Sequence, residues 1–425
     1  MRDQMYENQT NQQNTEPVPV VLLALDQGQF DPDRSLDELA ALAEANHMQE
    51  VARVLQRKDS PDPATLLGEG RVAEARLLCM NLEAQVAIFD GELTGSQLRN
   101  LSEALDVEVI DRTMLILEIF RQRAVTGEGK VQTELALERY RLPRLTGLGL
   151  VLSRQGGGGA GGGGARRGAG ESKLELDRRH VHHRIEALER RLAELEKRRS
   201  ETRRARQKSG VPVISFVGYT NVGKSSLMNA LCGSEVLEAD MLFATLDPTA
   251  RKAALPSGLP VVLVDTVGFV SRLPHHLVDA FKSTLEEAAY SDVIVKVADA
   301  SDPQREAQLA VTDEVLNSLG CADIPQLTVY NKCDKSGAVA FDPDILLTSA
   351  KTGAGLDTLL AALDKALAHR MRPVKALLPY DKLGLAEPMR RSGSVLVEDY
   401  RADGVYLEGL AKTSDLYLYL PYLVE

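Results

Sequence analysis

The sequence has no tryptophan, and only 4% of its 425 residues are aromatic, so its core must be built from Leu, Val, Ile and Ala. The four cysteines, Cys79, Cys232, Cys321 and Cys333, are too few for a disulfide scaffold, and none stands at metal-ligand spacing from another. Reduced thiols in a reducing compartment follow, and with them a cytoplasmic location. No membrane span is expected, because the longest apolar run near the front, Val18 to Leu25, falls far short of the roughly 20 residues a span needs. Met1 to Glu16 is polar and rich in Gln and Asn, unlike a secretory leader. The ending Leu423-Val424-Glu425 offers no cysteine for lipidation. Basic residues are outnumbered, 50 against 61, and the net charge of −11 excludes a basic footprint over the whole molecule.

What is present is an ordinary globular composition, 44% hydrophobic and 26% charged, at a length of about three domains. Apolar runs at Val20–Leu23, Val51–Leu55, Val86–Phe89 and Val107–Ile110 alternate with helix-like segments. That alternation implies a small, mostly parallel sheet. Ser35 followed by Glu38 reads as a capping-box start for the first helix. Charge is strongly segregated farther on. Arg121 to Lys208 holds 22 basic and 11 acidic residues, a local +11, which leaves −22 for the rest. Within it Val181, Ile185, Leu188, Leu192 and Leu195 form a seam of period 3.5, as on a long helix packed against another. Thr113 to Leu145 reads largely as helix, ended or kinked at Pro143. Between the two lies Gly156 to Gly170, with ten glycines in fifteen residues plus Arg166 and Arg167. Composition reads it as a flexible linker, or as a mobile basic finger whose bare backbone approaches phosphates.

The chemistry sits in the next region. The strand-like Val213-Ile214-Ser215-Phe216-Val217 runs into Gly218-Tyr219-Thr220-Asn221-Val222-Gly223-Lys224-Ser225, and a helical stretch from Ser226 follows. This is a phosphate-binding loop in its strand-and-helix context. The glycines let backbone N–H groups face a polyphosphate, Lys224 neutralises it, and the Ser225 hydroxyl is a ligand for Mg²⁺. A second strand ends in Asp265-Thr266-Val267-Gly268, where Asp265 serves the metal through water and Gly268 offers its N–H to the terminal phosphate. A third leads into Asn331-Lys332-Cys333-Asp334, whose Asp carboxylate accepts from the two adjacent donors of guanine. Ser349-Ala350-Lys351, after Ile345-Leu346-Leu347 and Thr348, can close over the base. In the intervening switch run Phe243-Ala244-Thr245-Leu246-Asp247-Pro248-Thr249, Thr245 is the expected second Mg²⁺ ligand and Thr249 its rival. Four such motifs, each after a strand, point to a GTPase, with Lys224, Thr245 and Gly268 carrying catalysis. Phe269 stands where many GTPases place a water-orienting Gln, so intrinsic hydrolysis should be slow and need a partner. Asn221 is a candidate ligand for K⁺ beside the phosphates.

Together these motifs resemble the HflX family of translation-factor-like GTPases, over essentially the whole chain after the first sixteen residues. The phosphate loop and switch run carry the resemblance, and so does Arg167-Gly168-Ala169-Gly170-Glu171-Ser172-Lys173-Leu174-Glu175-Leu176-Asp177-Arg178-Arg179, which matches the family's glycine loop and following helix. Ala169 stands where the family commonly has Pro. The resemblance implies a monomeric factor that binds GTP and GDP and associates with ribosomal RNA of the large subunit, splitting or rescuing stalled or stressed ribosomes. The basic segment fits such a role, since it can contact RNA phosphates while the acidic remainder resists non-specific binding. Some members hydrolyse ATP through the N-terminal domain. Here Leu67-Gly68-Glu69-Gly70-Arg71 lacks the Lys-Ser/Thr ending of a phosphate loop and reads as a turn before a helix. The alternative is a regulatory switch whose coiled-coil helices engage a protein partner.

The expected class is α/β. A P-loop GTPase domain at 209–371 is preceded by a disordered tail at 1–16, an α/β domain at 17–112 and a basic antiparallel helical hairpin at 113–208 with its Gly-rich loop at 156–170. A small α+β module at 372–425 follows, with Asp403-Gly404 as a hairpin turn.

Overall fold

Val18–Asp26 (β1) is apolar as far as Leu25 and buried on both faces from Val20 onward, the pattern of an inner strand in a parallel sheet. It lies between β2 (Met48–Arg57) and β3 (Val86–Phe89), with β4 (Glu108–Asp111) beyond, in the order β2-β1-β3-β4 and all parallel. The computed structural model describes residues 16–28, 30–147, 165–209, 211–233, 249–269, 287–335, 343–368, 371–392 and 394–424. Helices α1 (Pro32–Ala45), α2 (Glu69–Asn81) and α3 (Gly95–Leu105) supply the crossovers. Val21, Leu23, Ala87, Phe89 and Leu101 are buried in one cluster. Each Leu, Val or Phe there contributes about 1.5–3 kcal/mol by leaving water.

Helix α1 does not start at Ser35. Asp31 caps it, accepting from the N–H groups of Asp33 at 3.1 Å and Arg34 at 3.4 Å, and Pro32 opens the first turn with its φ already helical. Ser35 is thereby freed to donate to Asp90 Oδ2 at 2.6 Å. The Leu67-Gly68-Glu69-Gly70-Arg71 stretch enters a helix, as expected, but Glu69 onward is already helical and the turn lies just upstream. Asp62 Oδ1 accepts from the N–H of Ala64 and of Thr65, and α2 begins at Glu69.

The helical middle breaks earlier than Pro143 suggests. Helix α4 (Arg112–Arg123) stops, and α5 (Gly127–Arg141) starts afresh at Thr126, whose hydroxyl accepts from the N–H of Gly129 at 3.0 Å. Helix α6 (Ala165–Ser209) begins inside the expected Gly-rich loop, so 165–170 with both arginines are helical, while 156–164 lie outside the described residues. Ile185 and Leu188 on α6 are buried and Val181, Leu192 and Leu195 half-buried, with exposed neighbours, as a seam requires. Arg184 pairs with Glu134 and Glu138, and Arg199 with Glu128, so numbering rises on one helix as it falls on the other: the pair is antiparallel.

The second sheet has six strands: β5 (Val213–Gly218), β6 (Thr249–Ala254), β7 (Pro260–Asp265), β8 (Val293–Asp299), β9 (Gln326–Asn331) and β10 (Ile345–Leu347). Their order is β10-β9-β8-β5-β7-β6, parallel except for β6 against β7. Helices α7 (Lys224–Cys232), α8 (Arg305–Ser318) and α9 (Leu356–Leu367) belong to it. A third sheet joins β11 (Met371–Leu378), β12 (Val395–Arg401) and β13 (Gly404–Lys412) antiparallel in the order β11-β13-β12, with α10 (Glu387–Ser392) between β11 and β12. The expected hairpin is β12–β13, and β11 is a strand the hydrophobic pattern did not reveal. The chain divides into two compact units, Met1–Gln122 with Thr133–Leu188 and Arg123–Gln132 with Glu189–Glu425. No helix among the described residues is long and apolar enough to cross a membrane.

Candidate nucleotide site

Strand β5 is where the strand order turns: β7 flanks it on one side and β8 on the other. In open α/β sheets the crevice outside the carboxyl end of such a strand is where ligands bind. The segment leaving β5 there is Gly218 to Gly223, and α7 starts at Lys224. Only glycine fits at Gly218, whose φ is +148° and whose missing Cβ would lie 2.2 Å from the Val297 carbonyl oxygen. Gly268 also makes a close approach, from β7's end. A Cβ there would meet Thr220 Cα at 2.7 Å and Lys224 Nζ at 2.9 Å.

Lys224 is buried, and its ammonium donates to the carbonyl oxygens of Gly218 at 3.1 Å and Tyr219 at 2.7 Å. Burial pushes its pKa down to about 8, against the opposing pull of the Asp265 carboxylate. Ser225 Oγ donates to Asp265 Oδ2 at 2.5 Å, and Asp265 itself is buried at the end of β7. Beyond it Thr266 donates to the Phe216 carbonyl at 2.7 Å and Val267 is buried. The loop and the segment after β7 are tied through the backbone, Thr220 N–H to the Phe269 carbonyl at 2.7 Å and Phe269 N–H to Gly218 at 3.0 Å. The Phe269 ring is 3% exposed and packed in the main apolar cluster of this unit. It is a core residue and has no polar atom to turn toward a water.

The segment Asn331–Asp334 reaches the same loop from β9. Asn331, buried, donates through Nδ2 to the Val222 carbonyl at 2.9 Å, while its Oδ1 accepts from the Ala350 N–H at 3.1 Å. One side chain thus joins the phosphate loop to Ser349-Ala350-Lys351. Lys332 donates to the Asn221 carbonyl at 2.5 Å and pairs with Asp299 at 2.9 Å. Cys333 N–H donates to the Thr348 carbonyl at 3.1 Å. Asp334 accepts from the Ser349 hydroxyl at 2.6 Å, and that bond, more than the nearby Lys351 and Lys335, holds its carboxyl below the usual range. An ionised carboxylate at that position is what a pair of adjacent N–H donors would meet.

The structure therefore brings together Gly218 through Ser226, Asp265 through Gly268, Asn331 through Asp334 and Ser349 through Lys351. Phe243, Ala244, Thr245, Leu246 and Asp247 lie outside the described residues. Thr249, the rival to Thr245, is the exposed first residue of β6, in register with Asp265 across the antiparallel pair. Sequence reasoning passed over Asp299, because a single Asp at a strand end carries no local signal.

Three family models match in succession: a GTP-binding GTPase N-terminal model over residues 33–121, a GTP-binding GTPase middle-region model over 123–206 and a 50S ribosome-binding GTPase model over 213–332. The GTPase HflX of Caldanaerobacter subterraneus subsp. tengcongensis is 45% identical over 375 residues, covering 88% of this chain and 86% of that protein. The GTPase HflX of Lacrimispora saccharolytica is 44% identical over 394 residues, covering 91% and 92%. Among solved structures, a GTP-binding protein from the archaeon Sulfolobus solfataricus in complex with GDP aligns with a TM-score of 0.45 at 23% identity, over 82% of this chain and 98% of that one.

Proposed function

Because the chain belongs to the HflX family of GTPases, we propose that it is a GTP-dependent factor of the large ribosomal subunit, splitting or rescuing stalled or stressed ribosomes in the cytoplasm. It hydrolyses GTP to GDP and phosphate, the activity of its family and of its GTPase domain. The observation that carries the ribosomal half is the match of residues 213–332 to a 50S ribosome-binding GTPase model. The segregated charge supports it: a local +11 over 121–208 on a chain of net −11 suits contact with RNA phosphates.

In this reading the loop from Gly218 to Gly223 wraps the polyphosphate with its N–H groups, and the positive end of α7 faces it. Lys224 offers its ammonium to the β- and γ-phosphates, and the Gly268 N–H meets the terminal phosphate. Guanine is read by the Asp334 carboxylate and covered by Ser349-Ala350-Lys351. The hard oxygens of Ser225 and Asp265, 2.5 Å apart, fit Mg²⁺, which takes few protein ligands and keeps several waters. That ion, when bound, neutralises charge developing on the phosphoryl oxygens. Thr245 is its second protein ligand in this reading, and Asn221 takes K⁺. Since the Phe269 ring is committed to the core, intrinsic hydrolysis is slow and a partner supplies what orients the water.

The test is GTP turnover with and without purified large ribosomal subunits, repeated after deletion of 156–164, with Lys224→Ala as the inactive control. The expected result is strong stimulation that the deletion abolishes. Equal turnover with and without subunits would overturn the ribosomal half. Against the protein-partner alternative, Ile185 and Leu188 of the seam are buried within the chain.

A further inference from the structure

Lys332 and Asn221 share an uncommon backbone state. Both are non-glycine residues in the left-handed region, at φ +62° and +59°. A short polar Asn tolerates that region, whereas a Lys must be held in it by its surroundings. What holds Lys332 is visible. Its ammonium donates to the Asn221 carbonyl at 2.5 Å and lies 2.9 Å from Asp299 Oδ2, so one cation bridges two segments far apart in the chain.

Asp299 is itself fixed. It ends β8, in register with Asn331 at the end of β9, so Lys332 follows directly on its neighbour across the sheet. Its Oδ1 accepts from the N–H of Ser301 at 2.9 Å and from the Ser301 hydroxyl at 2.6 Å, leaving Oδ2 aimed at the lysine. The pair is mostly shielded, with side-chain exposures of 20% for Lys332 and 16% for Asp299, so it is less screened than a surface ion pair. A carboxylate oriented by two donors and aimed at a single ammonium fixes position rather than merely balancing charge.

We infer that Asp299 is a positioning residue for guanine nucleotide: through Lys332 it clamps the base-reading turn to Asn221 of the phosphate loop and thereby sets how long the nucleotide stays bound. This rests on reading the pocket as a guanine site. Base and phosphates are gripped by different segments, and a bound nucleotide leaves more readily when those segments move independently. Asp299 belongs to neither the phosphate loop nor the Asn331–Asp334 turn. It acts by making the two grips one rigid frame, so its removal accelerates release of GDP and GTP alike.

The experiment is stopped-flow release of a fluorescent GDP analogue from the full chain, chased with unlabelled GDP. Asp299→Ala should release it about tenfold faster, the loss expected when one partner of a shielded ion pair is removed. Ser301→Ala, which only loosens the carboxylate, should accelerate release about two- to threefold. The decisive arm is a double-mutant cycle: in a Lys332→Met background the Asp299→Ala acceleration should shrink below about twofold, because its route is gone. A general structural role would instead accelerate release equally in both backgrounds, and that result overturns the inference, as does an unchanged release rate in Asp299→Ala. Should Asp299→Ala fail to fold by circular dichroism, the same cycle run with Ser301→Ala decides the question. If the unmodified protein binds no fluorescent GDP, the guanine-site reading itself fails. Binding without coupling removes only the role of Asp299.

Discussion

The first two sheets share a topological device and use it oppositely. Each has a central strand flanked by neighbours reached in opposite directions, β1 between β2 and β3 and β5 between β7 and β8. Each therefore opens a crevice at that strand's carboxyl end. At that edge of the first sheet the carboxylates are paired with the chain's own groups. Asp26 accepts from the Gly28 N–H at 2.8 Å and pairs with Arg57 at 3.0 Å. Next to it Asp90 takes Ser35 and the buried Arg112, which also pairs with Glu38 at 2.8 Å. Asp111, raised in pKa by burial, accepts from Tyr140 and from the N–H groups of Leu93 and Met114. At β5 the first groups out of the strand are a glycine-shaped loop and a buried lysine. Topology supplies the cleft, and the residues leaving the strand decide whether it is filled by carboxylates that satisfy themselves or left as a cradle for an anion.

The largest effect that would break this contrast is expected in the first sheet. Arg112→Ala leaves Asp90 and Glu38 without their cation, one of them fully buried, and should destabilise that unit by about 3–5 kcal/mol. Hydrogen exchange should show the loss confined to β1–β4 and their helices, with GDP affinity unchanged. A parallel loss of GDP affinity would mean that the two sheets are not independent.

In the second sheet, Asp334→Asn replaces an acceptor by an amide that can donate to a xanthine carbonyl. Guanine nucleotides should bind about a hundredfold more weakly, and xanthosine nucleotides should gain, in competition titrations. Intact guanine preference would remove Asp334 from the base-reading role.

A smaller effect sharpens the contrast through pH. Lys224, ordinarily near 10.5, sits at about 8, so in the nucleotide-free protein its ammonium is half titrated near pH 8, largely charged at pH 7 and largely neutral at pH 9. GDP affinity should fall about tenfold between pH 7 and 9, and calorimetry in buffers of different ionisation heat should register proton uptake on binding above pH 8. Stability runs the other way. Between about 8 and 10.5 the unfolded chain binds more protons at this lysine than the folded one, so the nucleotide-free fold gains from this group as pH rises through that window. Affinity that is flat in pH would mean that the lysine does not meet the phosphates as a cation.

Much of this was legible because it is local. The strand, loop and helix around Gly218–Ser225 are set by neighbours in sequence, as are Asn331–Asp334 and the seam from Val181 to Leu195. The misses came where a local cue had a competitor. Ser35 caps no helix because Asp31 with Pro32 does so earlier, leaving its hydroxyl for Asp90. Thr126 restarts a helix that an apolar pattern alone would have continued to Pro143.

The amino-acid order alone was enough for the family, the α/β class, the charge segregation and the order of the nucleotide motifs, because short motifs and composition along a segment are read without any tertiary contact. Folding in three dimensions was needed for Asn331 to reach the Val222 carbonyl, for Lys332 to join Asp299 to Asn221, and for Phe269 to turn into the core. Those outcomes depend on β5, β8 and β9 lying side by side, and contacts between strands that distant in sequence exist only once the sheet has formed.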